Sequence, residues 1–283
     1  MLKPIKIMTD SLSDIPKGLV AKYDIAVLPL TVRFKDEEFK DGIDLNSEKF
    51  FHKLQEAEQL PTTSQVPPSE FIREMKKALD DGFEVMVING SSGVSGTYQS
   101  AMMAKNELDT EDVTVIDTLA LSYTCGLIVV EAAKMAKEGR GREEILKKVE
   151  AMKSKTGHIF SVETLEYLKK GGRLSAAKAA IGTVLNVKPI LTIKDGKVEP
   201  LDKVRGSKKI IPKMIELAQE SGLKQGCPYV CIAHGANKEG LDKLKEEVLK
   251  SFTPKELVIT EIGCTIGTYT GPGLLAILYV RED

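Results

Sequence analysis

Val85-Met86-Val87-Ile88-Asn89-Gly90-Ser91-Ser92-Gly93-Val94-Ser95-Gly96-Thr97-Tyr98 is the stretch that decides the fold. Val85 to Asn89 reads as a short buried strand, and Thr97 to Leu108 mixes polar and apolar residues at helical spacing with good helix formers. Between them lie only hydroxyls, glycines and one valine. Such a strand-to-helix turn sits at the carboxyl edge of an open α/β sheet, where ligands bind. The new helix opens with unpaired N–H groups and the positive end of its dipole, which suits an anionic head group. Ser95 and Thr97 are expected in the N-cap region. The same chemistry recurs in Pro61-Thr62-Thr63-Ser64-Gln65, ahead of a helix expected over Ser69 to Leu79. Helix capping explains one such turn. Two of them, with the glycine-rich segments described below, point to an anion site.

Working outward, apolar strands are expected at Ile5 to Met8, Ile25 to Leu30, Val85 to Ile88 and Val113 to Ile116, alternating with helices. That order predicts a mostly parallel sheet wrapped by helices. A polar excursion with helices near Ser47 to Glu56 and Ser69 to Leu79 separates the second strand from the third. Helices over Leu121 to Lys137 and Arg142 to Met152 lead to the polar run Lys153-Ser154-Lys155-Thr156-Gly157. This run marks the expected division into an N-terminal α/β domain, 1–156, and a C-terminal one, 157–283.

The second half changes rhythm. A strand at His158 to Val162 precedes a helix ending in Lys169-Lys170-Gly171-Gly172, with basic residues and glycine where a helix stops. Pro189 to Ile193 and Lys197 to Leu201 form a hairpin through Asp195-Gly196. Helices at Ser207 to Glu220 and Asn237 to Phe252 alternate with strands at Tyr229 to Ala233, Glu256 to Ile262 and Leu274 to Val280. The expected result is a mixed sheet with helices packed on it.

Composition narrows the function. The 283 residues are 42% apolar and carry a formal charge of −1, so the chain has an ample core but no basic field for nucleic acid or anionic membrane. Aromatics are 5% with no Trp, so stacking platforms are scarce and the core is aliphatic. The first residues run straight into a strand without a signal-peptide pattern, and no stretch approaches a membrane span. Cys125, Cys227, Cys231 and Cys264 are dispersed without zinc spacing and are expected to be reduced structural thiols in the cytoplasm.

Several enzyme signatures are absent. The Ser95 segment lacks the glycine that a nucleophile elbow needs two places after its serine, because that place is Thr97. Of His52, His158 and His234, His234 at the end of a strand is the best base, though a satisfied turn residue explains it as well. No G-K-[ST] P-loop or G-x-G-x-x-G turn follows a strand. Thr9-Asp10-Ser11 ends the first strand, and Ser13-Asp14-Ile15-Pro16 is expected to cap the next helix, with Asp10 placed to orient neighbouring hydroxyls. Gly171-Gly172-Arg173-Leu174-Ser175 reads as a corner between helices. Gly267-Thr268-Tyr269-Thr270-Gly271-Pro272-Gly273 reads as a connection whose glycine content implies positive φ or close approach to a ligand. Arg205, after the hairpin, is a further cation.

Together these segments resemble the DegV family of fatty-acid-binding proteins across essentially the whole chain. Thr9-Asp10-Ser11 with Ser13-Asp14, Thr63-Ser64-Gln65, Ser91 to Tyr98, Asp117-Thr118, Leu168 to Ser175 and Thr270-Gly271-Pro272-Gly273 occur in the family's order. The resemblance implies two α/β domains with a long-chain fatty acid buried between them and no other cofactor or metal. It implies that Thr63 and Ser95 hold the carboxylate, with Val94 in place of the usual leucine. Ser64, Gly96, Thr97, Arg205, Tyr269 and Thr270 are expected around the pocket or head group. It further implies a non-catalytic carrier that presents the acid to a separate fatty acid kinase for lipid synthesis, with Arg173 and Arg205 associated with that step. The family's H-T-G histidine is Tyr269 here, which keeps a hydroxyl but cannot carry a proton near neutral pH. Two other readings stay open at this point: an enzyme acting on a small carboxylate or phosphate ester in the same crevice, and a regulatory module with an occluded pocket.

Overall fold

A computed structural model describes residues 3–174 and 187–281. The first half runs β1 (Ile5–Asp10), α1 (Lys17–Lys22), β2 (Ala26–Leu28), β3 (Thr31–Phe34), β4 (Glu37–Lys40), α2 (Ser47–Glu56) and β5 (Thr62–Ser64). It continues with α3 (Pro68–Asp80), β6 (Glu84–Asn89), α4 (Thr97–Leu108), β7 (Val113–Asp117), α5 (Tyr123–Lys137) and α6 (Arg142–Lys153). The second half runs β8 (Thr156–Ser161), α7 (Glu166–Lys170), β9 (Val187–Lys194), β10 (Lys197–Arg205), α8 (Ile210–Glu220) and β11 (Tyr229–Gly235). It ends with α9 (Lys238–Phe252), β12 (Glu256–Glu261), α10 (Cys264–Thr270) and β13 (Leu274–Val280). The expected division after residue 156 falls at the first residue of β8.

The α/β class and its two sheet types are as the sequence predicts. β2-β1-β6-β7 form a parallel sheet. β10-β9-β8-β13-β11-β12 form a mixed sheet, antiparallel except for the β11–β12 pair. Every residue of β13, Leu-Leu-Ala-Ile-Leu-Tyr-Val, is buried, as befits a strand paired on both edges and covered on both faces. α5 explains how the sheets meet. Its residues Tyr123 to Val130 are buried all round the helix, so no face is left for water. It lies against β1 and β6 on one side and β8 and β13 on the other. One continuous core therefore joins Ile7, Met86 and Ile88 of the parallel sheet to Phe160, Ala276 and Leu278 of the mixed sheet through Ile128 and its neighbours.

Four expectations are corrected. The polar excursion holds a third, antiparallel sheet, β4-β3-β5, and the Thr62 to Gln65 turn is in large part its edge strand. The expected Ile25 to Leu30 strand stops at Leu28, because Pro29 has no N–H to continue a ladder and the chain leaves the sheet there. Ser13-Asp14 caps no helix. α1 begins after Pro16 with no side-chain cap, and Asp14 instead reaches the other half of the chain. The Gly267 to Thr270 segment is helical, as the end of α10, and only Gly271 and Gly273 have positive φ, 67° and 96°. The helix forms because two acidic groups receive its first N–H groups. Asp14 Oδ1 accepts from Gly263 at 2.9 Å, and Asp41 accepts from Cys264 and Thr265 at 2.9 and 3.0 Å. The hairpin of β9 and β10 turns through Asp195 and Gly196, both at positive φ, as expected.

Ile128 is fully buried at the centre of the shared core. Ile128→Ala is expected to lower unfolding free energy by about 2–5 kcal/mol. Urea denaturation showing a loss below about 1 kcal/mol would mean that α5 does not join the two sheets.

Candidate functional site

The loop after β6 is built on a buried carboxyl group. Asp10 accepts from the amide of Asn89 at 2.8 Å and from the backbone N–H groups of Leu12 and Gly90 at 3.0 and 3.1 Å. Burial holds its carboxyl above the ordinary range. Asp10 thus orients backbone and amide groups, while the nearby Ser13 hydroxyl donates to its backbone carbonyl. The tip of the β9–β10 hairpin clamps the same loop from the mixed-sheet side. Ser91 Oγ donates to Gly196 O at 2.6 Å. A Cβ on Gly93 would lie 2.5 Å from that carbonyl oxygen, so the close approach requires glycine there. Ser95 and Thr97 differ from expectation in detail. The N-cap position of α4 is Gly96, while Ser95 Oγ accepts from the Thr97 N–H at 3.3 Å and lies 3.0 Å from the Thr97 hydroxyl.

Edge strand β5 is pinned to this loop. Gln65 Nε2 donates to Ser100 Oγ of α4 at 2.7 Å, and its amide lies over Gly96, where any Cβ would overlap it. Thr63 and Ser95 therefore share one rim although they come from different sheets. Thr63 Oγ1 is hydrogen bonded to the Tyr269 hydroxyl of α10 at 2.6 Å. The Tyr269 ring carries the Arg173 guanidinium 4.3 Å from its centroid. Arg173 is held there by backbone acceptors, Nε donating to Val94 O at 3.2 Å and Nη1 to Gly171 O at 2.7 Å.

Behind this rim lies a cavity of about 350 Å³ between the parallel and mixed sheets, within the usual range for small-molecule sites. Its wall is mainly aliphatic: Leu12, Leu30, Leu121, Leu168, Ile193, Val198, Ile262, Ile266, Leu274 and Leu278, with Phe160. Of the residues singled out from sequence, Thr63, Ser64, Ser95, Gly96, Arg173, Tyr269 and Thr270 line it. Thr97 does not; it is fully buried behind Ser95. Arg205 is exposed at the end of β10, away from the lining residues. Arg173 is half-buried and stacked, not an exposed corner residue, and Ser175 lies outside the described residues. Among the described residues no group of His, Cys, Asp and Glu is placed to hold a metal. All four cysteines are buried and none is in a disulfide.

Sequence reasoning missed three polar lining residues, Ser122, His158 and Thr265. It ranked His234 first among the histidines. His234 Nδ1 accepts from the Asn237 N–H at 3.2 Å, which makes it the satisfied turn residue of the other reading. His158 sits on β8 two residues before Phe160, and that period-two spacing was the available signal that it faces the cavity. Its Nε2 accepts from the Leu121 N–H at 3.4 Å, and burial pushes the imidazole down to about 4. Ser122 stands at φ 52° and ψ −149°, a region that is nearly glycine's alone, and donates to Asp14 Oδ2 at 2.6 Å. Burial pushes the Asp14 carboxyl up to about 8.

A family model described as "Uncharacterised protein, DegV family" matches residues 4–282. The chain belongs to the DegV family. A DegV domain-containing protein from Caldanaerobacter subterraneus is 37% identical over 281 residues, covering 99% of this chain and 100% of that one. A DegV family protein from Thermus thermophilus, whose structure is described as fatty acid binding, superimposes with a TM-score of 0.92 at 34% identity over 100% of both chains. DegV of Bacillus subtilis, described as a fatty acid binding protein, gives a TM-score of 0.89 at 34% identity, again over 100% of both. The cavity of this DegV family member thus sits in a fold shared from end to end with those proteins.

The folded value of His158 lies below the ordinary 6.5 of an imidazole, so the unfolded chain takes up this proton first as pH falls. Stability from keeping the ring neutral is full above about pH 6.5 and is lost between there and about pH 4. Relative to His158→Gln, the wild type is expected to lose on the order of 3 kcal/mol across that window. Urea unfolding of both proteins from pH 7 to pH 4 checks this, and a pH-independent difference would contradict a buried neutral ring.

Proposed function

We propose that the protein is a carrier that binds a long-chain fatty acid in the cavity between its two α/β units, 1–156 and 157–283, with the carboxylate held by Thr63 and Ser95. The observation that carries this reading is an aliphatic cavity whose rim gathers hydroxyls and a cation, Thr63, Ser64, Ser95, Tyr269 and Arg173, from both halves of the chain. An amphiphile with a long apolar tail and a small anionic head matches that distribution. The fatty acid binding described for the Thermus thermophilus and Bacillus subtilis proteins, at 34% identity along the whole chain, supports it.

The energetics favour the tail as the source of affinity. Burying about fourteen methylenes at ~0.8 kcal/mol each contributes ~11 kcal/mol before association and chain ordering are subtracted. Each hydroxyl that donates to the carboxylate adds ~1.5–3 kcal/mol before desolvation. Tail burial sets how tightly the ligand binds, and the hydroxyls set where the head lies. The carrier does no chemistry alone. In this reading it works in the cytoplasm and presents the carboxylate at the rim to a separate fatty acid kinase, with Arg173 at the contact. Tyr269 supplies a hydroxyl where the family's histidine would supply a titratable ring. Among the described residues no helix is long and apolar enough to cross a membrane.

Organic extracts of freshly purified protein are expected to contain near-stoichiometric fatty acid by mass spectrometry. Thr63→Val combined with Ser95→Ala is expected to weaken binding of added octadecanoate roughly 10- to 100-fold. An empty wild type that also refuses octadecanoate would overturn the carrier reading.

A further inference from the structure

The aliphatic wall of the cavity is interrupted where His158 and Ser122 meet it. His158 Nε2 accepts from the backbone N–H of Leu121, the residue next to Ser122, so the two side chains converge on one short segment. With Nε2 an acceptor, the ring proton is on Nδ1. No acceptor among the described residues meets that Nδ1–H. Ser122 Oγ is hydrogen bonded to Asp14 Oδ2 at 2.6 Å, and whichever of the two donates, Oγ keeps a lone pair to accept. Both residues line the cavity, and both are at least nine-tenths buried, His158 4% and Ser122 5% exposed. Thr265 also lines the cavity, and its buried hydroxyl has no partner among the described residues.

A site for an unsubstituted alkyl chain gains nothing from such groups. A buried donor without an acceptor costs free energy, and valine or phenylalanine would line the wall without that cost. The pair offers one donor and one acceptor, the complement of an alcohol, which itself donates once and accepts. We propose that His158 Nδ1–H and Ser122 Oγ form a polar subsite inside the cavity that takes a hydroxyl carried part-way along the acyl chain, so that the preferred ligand class is a hydroxy fatty acid. The inference rests on the carrier reading and adds a chain specificity to it. Ser122 is held for this role by its unusual backbone conformation and by the bond to Asp14, which together turn its hydroxyl away from the cap of its own helix α5.

The test is competitive displacement of a fluorescent fatty acid from the full chain by octadecanoic acid and by a series of monohydroxyoctadecanoic acids with the hydroxyl moved along the chain. In a wholly apolar tunnel every hydroxyl weakens binding, by roughly tenfold for an unpaired buried group. The subsite predicts that one or two adjacent positions escape this loss and bind as tightly as octadecanoic acid or up to about tenfold tighter. The ratio of affinities for that hydroxy acid and octadecanoic acid is expected to fall about tenfold in His158→Phe. Should that variant fail to fold, Ser122→Ala is expected to lower the same ratio several-fold. A uniform loss at every position in the wild type, or a ratio unchanged in a folded variant, overturns the subsite while leaving the carrier reading in place. Failure of every acid to bind overturns the carrier reading and the subsite with it.

Discussion

A helix segment buried all round must be covered on every side, and that requirement on the first half of α5 governs the rest of the structure. Tyr123 to Val130 leave no stripe for solvent, so one sheet cannot satisfy the helix. The parallel sheet covers one side and the mixed sheet the other, which makes a single core of two halves that are distant in sequence. The helix also acts as a spacer. Just before its first turn, at Leu121 and Ser122, the two sheets still face each other and the cavity opens there. Core and binding site are thus adjacent parts of one arrangement.

Short, specific contacts then set the rim. The hairpin tip at Gly196 presses on Gly93, and Gln65 lies on Gly96; in both places a side chain would push the elements apart. These contacts bring Thr63 of the small antiparallel sheet to Ser95 of the parallel-sheet loop. α10 closes the third side, its first N–H groups held by Asp14 and Asp41 from the other half of the chain. Two acidic side chains, Asp14 and the buried Asp41, therefore do for the joining of the halves what caps do for a single helix. Because Tyr269 extends from that helix to Thr63, the state of the α10 anchor bears directly on the rim.

The electrostatics of the two ends of the cavity contrast. The rim holds a permanent cation, Arg173, fixed by two carbonyl oxygens and an aromatic face. The interior holds His158, which burial keeps neutral at ordinary pH. An anion is therefore favoured at the rim and disfavoured in the interior.

Much of the fold was legible from sequence because it depends on local pattern. Apolar runs such as Val85 to Asn89 and Leu274 to Val280 read as buried strands, Asp195-Gly196 reads as a tight turn, and the helix over Leu121 to Lys137 stops at Gly139 as its pattern predicts. The hydroxyl-rich segments around Thr63 and Ser95 were likewise visible, and the structure brings them to one cavity. What sequence could not show depends on groups brought together from afar. Cys264 to Thr270 is helical because Asp14 and Asp41 receive its first N–H groups, and that segment alone reads as a glycine-rich loop. Thr62 to Ser64 is a strand because Thr31 to Arg33 lies beside it. His158 looked ordinary until β8 was seen to turn it toward the cavity, and Arg205 looked like a pocket neighbour until the end of β10 carried it to the surface. The sequence by itself determined most of the helices and strands and the hydroxyl-rich character of the two turns, because spacing and side-chain chemistry are local. Only the tertiary structure decided which groups meet around the cavity, because burial and hydrogen-bond partners come from residues far apart in the chain.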